Sequence, residues 1–386
     1  MPQQQIYHTA QPEAIQDGGY KEFNNCDFVL NVGAGRSLMR NTIRLNGEIE
    51  INSAGVTRVL ATDDIYLDPK IGVHATIASL QVSFSGSLEG QGGGIRENVQ
   101  NYARFCEMLT VGTDYEDDYN NASNAVEHRC VNNISAQLLA QGLSTGSDAT
   151  GDEGYAARIV DHDFSLKPVC ILNRMQGDHL PYEKTGEIRL SVNLQRNIAA
   201  LCGVDQAVES NYVLKNLHMS YISVPTDGLW SSTKTSMSSV YNVKSSILSG
   251  STNVSVQVPA ICQSVSCSFQ RQSNENVVMV NNAALQTVQN IKRVAFLFND
   301  STNAYITYQI DDQNEMLHRY IDSFENTGHN QVMLDTFRTN AGFGLGLDFN
   351  GSIDLSNQRF AVQLDSDVNS NKPMNIYLYF HSLISA

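Results

Sequence analysis

Positive charge is scarce in this sequence: 25 Lys and Arg stand against 40 Asp and Glu, a formal net charge of −15 over 386 residues. Neutralising phosphates supplies most non-specific affinity for nucleic acid, so direct genome wrapping or sequence-specific nucleic-acid binding is not expected of such a chain. Long apolar runs are missing too. No uninterrupted stretch approaches the roughly twenty residues of a membrane-spanning helix. The first residues, MPQQQIYHTAQPEAIQDGGYKEF, show neither the basic start nor the apolar centre of a secretory signal, and the expectation is cytosolic synthesis. Metal and redox signatures are absent as well. The seven cysteines (Cys26, Cys106, Cys130, Cys170, Cys202, Cys262, Cys267) are odd in number and scattered, with no C-x-x-C pair. They are read as reduced core residues rather than disulfide or zinc partners.

What is present is strand periodicity. Ile43, Leu45, Ile49 and Ile51 fall on one parity, as do Leu80, Val82 and Phe84, and Ile188, Leu190, Val192 and Leu194 alternate with polar neighbours. The second half repeats the habit at Val254, Val256 and Val258, at Val265, Cys267 and Phe269, and at Phe360, Val362 and Leu364. A period of two with one apolar parity is the mark of a half-buried strand. Two segments follow the helical spacing instead: Val99, Tyr102, Ala103 and Cys106, then Leu317, Tyr320, Ile321 and Phe324. They are expected as short helices inside long loops.

The two halves look related. SLQVSFS at Ser79 resembles SVSCSFQ at Ser264, LSVNL at Leu190 resembles FAVQL at Phe360, and the strand ending in Ile222-Ser223 resembles the one ending in Ile384-Ser385. The matches keep their order while their spacing shortens, as an internal duplication with longer insertions in the first half would leave it. The chief insertion is the Asp-, Asn- and Ser-rich tract between Thr113 and Asp163. Between the halves, VPTDGLWSSTKTSMSS breaks the periodicity with Pro225, an Asp227-Gly228 turn signal and the single tryptophan, Trp230, expected to plug an interdomain groove. The reading is an all-β chain: an N-terminal arm at residues 1–22, a first module at 23–225, a linker at 226–240 and a second module at 241–386. Two such large modules suit eight-stranded jelly rolls better than immunoglobulin-type sandwiches of about 100 residues.

Three passages carry a resemblance: IASLQVSFSG followed by IRENVQNYARFCEML, then SLKPVCILNRMQGDHLPYEKTGEIRLSVNL, then VSCSFQRQSNENVVMVNN followed by VAFLFND. With the duplicated plan, they resemble the double jelly-roll major capsid proteins of tectivirus-like phages, adenoviruses, polinton-like viruses and virophages. That resemblance implies a structural protein of a non-enveloped or internally membraned DNA virus. It implies a homotrimer whose six rolls form a pseudo-hexagonal capsomer of an icosahedral virion. It further implies contacts with neighbouring capsomers and with minor capsid and penton proteins, and an N-terminal arm ordered by partners or an internal membrane. Host cytoplasm is then the site of synthesis. The acidic run TDYEDDYNN, Thr113 to Asn121, is expected on the outer face.

Chemical motifs do not compete. GLSTG at Gly142–Gly146 matches the G-x-S-x-G elbow, but SDATGDEG after Ser144 cannot start the helix that an elbow needs. GAGRS at Gly33 and GQGGG at Gly90–Gly94 lack a βαβ setting and any Gly-Lys-Ser or Gly-Lys-Thr. Asp161-His162-Asp163 offers three metal ligands, yet neighbours on a strand point to opposite faces. The Asn-x-Ser sequons at Asn121, Asn133, Asn253, Asn299 and Asn350 are read as chance. No catalytic, cofactor-binding or metal residue is assigned, no cofactor is expected, and the protein is read as a non-enzyme. Two alternatives stand beside the capsid reading. One is a double jelly-roll hydrolase of glycans or glycoproteins, with carboxylates converging in a groove between the modules. The other is a minor vertex or spike component, which would normally use one roll.

Overall fold

The alternation at Ile188, Leu190, Val192 and Leu194 becomes a strand that buries these four side chains and leaves Arg189 and Asn193 exposed. A computed structural model describes residues 4–52, 65–68, 71–86, 93–110, 162–176, 179–203, 210–226, 236–247, 250–258, 261–277, 282–283, 291–298, 306–309, 313–324, 344–356, 358–366 and 373–385. In chain order the first half contains β1 (Ile6–Ala10), β2 (Asn25–Leu30), β3 (Arg36–Met39), β4 (Arg44–Asn52), β5 (Ile65–Tyr66), β6 (Ile77–Phe84) and β7 (Gly94–Gln100). Helix α1 (Tyr102–Thr110) follows, then β8 (His162–Leu166), β9 (Met175–Gln176), β10 (His179–Pro181), β11 (Ile188–Leu194), β12 (Cys202–Gly203) and β13 (Asn211–Pro225). The second half contains β14 (Ser236–Ile247), β15 (Gly250–Gln257), β16 (Ile261–Arg271), β17 (Ile291–Phe298) and β18 (Ile306–Gln309). It ends with helix α2 (Gln313–Asp322), β19 (Leu345–Asp354), β20 (Arg359–Ser366) and β21 (Met374–Ser385).

Eight strands of each half share one wiring. In the first half β1, β2, β4, β6, β7, β8, β11 and β13, counted as first to eighth, form two ladders, β1-β13-β4-β8 and β2-β11-β6-β7. In the second half the ladders are β14-β21-β16-β19 and β15-β20-β17-β18. Both halves therefore run 1-8-3-6 in one sheet and 2-7-4-5 in the other, the doubled Greek key of a jelly roll. Both expected helices form, and each lies between the fifth and sixth strands of its half. The fold is a double jelly roll. The remaining strands are accessories: β3 pairs with the end of β13 at Ser223–Pro225 and β10 with β3, β5 and β12 pair with each other, and β9 pairs with β14.

The wiring corrects one of the three internal matches. LSVNL and FAVQL occupy β11 and β20, the seventh strands, and the Ile-Ser endings occupy β13 and β21, the eighth. The match at Ser79 and Ser264 joins β6, a fourth strand, to β16, a third, because two strands with the same buried parity look alike without their neighbours.

The N-terminal residues are also placed differently from an arm ordered only by partners. Ile6 to Ala10 pair antiparallel with Ser223 to Met219 and supply the first strand of the first roll. His8 stacks on Tyr221 at 4.9 Å, and the Arg36 guanidinium donates to the Gln4 carbonyl at 3.0 Å. Tyr20 is buried, and its backbone exchanges two hydrogen bonds with Leu214, at 2.7 and 2.8 Å. At the other end of the first module, Ser236 opens β14, so the last five residues of the stretch read as a linker are strand. Trp230 and the Asp227-Gly228 turn lie outside the described residues.

Close approach shapes the second roll. A Cβ at Gly344 would stand 2.2 Å from the Cys267 carbonyl oxygen, and one at Gly346 would stand 2.3 Å from Ser323 Oγ and 2.8 Å from the Arg319 carbonyl oxygen. Glycine therefore lets α2 lie directly on β19.

Candidate functional site at the seam between the rolls

The two rolls are joined by strands as well as by packing. β7 and β14 run parallel and meet at Asn98 and Tyr241, which fuses a sheet of each roll into one nine-stranded sheet. The sequence NVQNYARFCEML builds the first roll's side of this seam. Asn101 takes a positive φ of 52° between β7 and α1, a conformation that asparagine tolerates, and its side chain donates to Asn242 Oδ1 at 3.0 Å. Its carbonyl accepts from the Tyr379 hydroxyl at 3.3 Å.

β21 supplies the second roll's side, and its two parities divide the work. Phe380 turns inward to meet Phe360 edge-on at 5.3 Å, with Ile376 and Leu378 on its parity. Tyr377, Tyr379 and His381 turn outward onto α1: Phe105 stacks on Tyr379 at 5.2 Å, and the Arg104 guanidinium sits over the Tyr377 ring at 4.6 Å. Both parities are buried, so Met374 to Phe380 lack the polar alternation of a one-sided strand. For the same reason α1 is buried on every side from Tyr102 to Met108, including Arg104 and Glu107. Arg104 reaches across to the carbonyls of Phe269 and Asn282, at 3.4 and 2.5 Å.

At the centre lies an ion pair, Glu97 of β7 with Arg174, whose side chains are both 0% exposed. Glu97 also accepts from the backbone N–H of Ile171 at 2.5 Å and, across the seam, from that of Val240 at 3.0 Å. Burial pushes its carboxyl above the usual carboxylate range, while the Arg174 charge and the two N–H donors pull the other way. The Arg174 guanidinium stands 5.4 Å from the Phe105 ring centroid. His381 pairs with Ser266 Oγ at 2.8 Å, and burial together with the Arg174 charge holds its pKa down to about 3, so it is neutral at ordinary pH. The carboxylate is capped and dry, the imidazole neutral and enclosed. This geometry fastens the two rolls together.

The thiols tell the same story. Cys106 lies 3.9 Å from His74 Nδ1, a pairing that could suggest a nucleophile, but burial pushes its thiol up to about 12. Cys170 is likewise pushed up to about 12.

The motif residues read from the sequence are not brought together. Gly33 and Gly35 have positive φ, 81° and 74°, in the turn from β2 to β3, where the Gly35 N–H donates to Glu183 Oε1 at 2.7 Å. An acid already fills that nest. His162 and Asp163 are the first residues of β8, opposite Ile49 and Glu48. Ser144, Asp161, Gly90 and the acidic run Thr113 to Asn121 lie outside the described residues. Among the described residues no group of three or more His, Cys, Asp or Glu is placed to hold a metal, and no helix is long and apolar enough to cross a membrane. Two open clefts lie beside β1 and β13, of about 380 and about 300 Å³; the first holds one carboxylate, Asp17, and the second one, Glu48. Sequence reading missed Glu97, Arg174 and His381, since a charged residue at strand spacing looks like a solvated one. The only signal was indirect: Glu97 and Arg174 fall in two of the three passages that carry the family resemblance.

No protein-family profile and no curated protein matches the sequence. Solved structures do. The chain is similar to the Faustovirus major capsid protein, with a TM-score of 0.55 and 8% identity over 100% of this chain and 90% of that one. It is similar to a chain in the 3.5 Å cryo-EM structure of the Sputnik virophage, with a TM-score of 0.55 and 11% identity over 99% and 86%. Against the PBCV-1 virus capsid the TM-score is 0.53 and the identity 9%, over 100% and 95%. The likeness runs through both rolls and establishes the fold that these viral proteins share.

Proposed function

We propose that this protein is the major capsid protein of a DNA virus, a non-enzymatic building block that self-assembles into an icosahedral shell. The observation that carries the reading is the correspondence of the whole double jelly roll, end to end, with viral capsid subunits whose own length is covered to 86–95%. The seam supports it. A shell subunit needs its two rolls held as one rigid body, and the buried clasp of Glu97, Arg174 and Val240 performs that task.

Three chains then place six rolls around one axis, and the trimer is the repeating piece of the capsid, in contact with neighbouring capsomers and with minor capsid proteins. A glycan hydrolase would need two carboxylates facing one cleft. Each of the two clefts beside β1 and β13 presents one. Jelly rolls touch through many modest patches multiplied by symmetry, so affinity accumulates over the particle rather than at one site. Light scattering over a wide concentration range tests the reading. A mass of three 42.5 kDa chains, with hexagonal outlines in electron micrographs, is expected; a constant mass of one chain overturns it.

A further inference from the structure

The dipeptide Asn-Gly occurs twice in the sequence, at Asn46-Gly47 and at Asn350-Gly351, and the fold treats the two in opposite ways. Asn46 and Gly47 lie inside β4. Asn46 faces His218 of β13 on one side and Ser165 of β8 on the other, and its side-chain amide donates to Ser220 Oγ at 2.9 Å. Gly47 is buried, and a Cβ there would stand 2.9 Å from the Leu217 side chain and 2.9 Å from the Lys215 carbonyl oxygen.

Asn350 and Gly351 sit where β19 leaves its partner. Asp348 faces Ser264 and Ile353 faces Cys262, so Phe349, Asn350, Gly351 and Ser352 stand against the single Gln263. Such a bulge leaves its extra residues outside the ladder. Its near end is anchored by Phe349, which is buried and meets Phe360 edge-on at 5.9 Å, and by the Asp348 carboxylate, which accepts the backbone N–H groups of Phe349 and Asn350. Beyond that anchor Asn350, Gly351 and Ser352 are all exposed, with a positive φ of 54° at Asn350. Apart from its chain neighbours, no atom lies within 4 Å of where a Gly351 Cβ would stand, and among the described residues no hydrogen bond holds the Asn350 side-chain amide.

We propose that Asn350-Gly351 is a site of covalent self-modification, at which the asparagine loses its amide through a cyclic imide while Asn46-Gly47 of the same chain stays intact. The Gly351 backbone nitrogen attacks Cγ of Asn350: an N–Cγ bond forms, the Cγ–Nδ2 bond breaks, and ammonia leaves carrying the proton of the Gly351 N–H. Water then opens the five-membered ring at either of its carbonyls, giving aspartate or isoaspartate. The attack needs the peptide between the two residues to rotate towards the side chain. Glycine has no Cβ to obstruct it, and in the bulge no ladder pairing has to break. In β4 the same rotation would separate Asn46 from both neighbouring strands, so it waits for local opening of the sheet. The product adds one negative charge to a chain of net −15. Isoaspartate also lengthens the main chain by one carbon, which an unpaired bulge absorbs and a paired strand does not.

The test holds the full-length folded protein in mildly alkaline buffer at body temperature for days. Samples are separated by isoelectric focusing and mapped by peptide mass spectrometry, with an isoaspartyl methyltransferase as the probe. Species with one more negative charge are expected to accumulate, with the methyl label on the peptide that contains Asn350, while Asn46 reacts at least about tenfold more slowly. In denaturant the two sites are expected to react at similar rates. Asn350→Gln, whose longer side chain would have to close a six-membered ring, is expected to remove the label with circular dichroism unchanged. An Asn350 that stays intact in the folded protein while the denatured chain reacts overturns the proposal. So do equal rates at Asn46 and Asn350 in the folded protein, or an undiminished yield of isoaspartate in Asn350→Gln.

Discussion

Glu97 and Arg174 pair across a space that solvent does not reach, and the same carboxylate holds the backbone N–H of Val240 in the other roll. Removing one partner strands a buried charge, at a cost of about 3–5 kcal/mol. Arg174→Met alone and Glu97→Leu alone are each expected to lower unfolding stability by that order. The double variant is expected to lose less than the sum of the two, because neither charge is then left alone. Denaturant unfolding of the four proteins checks this, and strict additivity would contradict a coupled pair.

Acid should weaken the seam through His381. Its pKa is depressed in the folded state, from 6.5 to about 3, so the unfolded chain binds the extra proton in that window. The stabilisation is present above pH 6.5 and is lost as pH falls towards 3, with a slope of up to about 1.4 kcal/mol per pH unit. Glu97 has the opposite sign, since its raised pKa lets the folded state keep a proton longer, which favours the folded state on the acid side. His381→Gln isolates the histidine: a flatter stability profile between pH 3 and 6.5 is expected, and an unchanged slope would refute the assignment.

Phe105 is fully buried between Arg174 and Tyr379. Truncation to alanine removes an aromatic ring from a packed interior, which costs about 3–5 kcal/mol. Because the ring belongs to the seam, limited proteolysis of Phe105→Ala should release one roll before the other is digested. Simultaneous loss of both would place the ring in a single cooperative core.

Gly346 faces the end of α2 at a distance that no side chain fits. Gly346→Ala is expected to lower stability by about 1–3 kcal/mol through overpacking. Gly33→Ala, in an open turn with φ of 81°, costs only its backbone strain, of order 1–2 kcal/mol. Thermal unfolding of the pair separates close contact from strain, because only the first should displace α2 and change near-ultraviolet dichroism.

Thiol reactivity offers a check without mutation. Cys26, Cys106, Cys170, Cys262 and Cys267 are free and buried. Burial pushes Cys26 up to about 12 and Cys262 to about 11. At pH 8 an aromatic disulfide reagent is expected to titrate no more than two of the seven thiols until denaturant is added. Fast reaction of more than two would contradict the buried core.

By itself the sequence determined the strand periodicity, the two short helices and the doubling, because these follow from which parity is apolar and where helical spacing interrupts it. Tyr102–Thr110 and Gln313–Asp322 became helices in equivalent loops for that local reason, while Val99, the first residue of the helical spacing, ended up in β7. Tertiary structure decided which strand neighbours which. It turned Ile6–Ala10 into the first strand of a roll, because partner choice depends on an edge, β13, more than 200 residues away. It also separated β6 from β16, whose local patterns are interchangeable. Only the meeting of β7, α1 and β21 in space could make Glu97, Arg174 and His381 a seam, since a charge becomes a clasp when a second surface removes its water, and no spacing along the chain records that second surface.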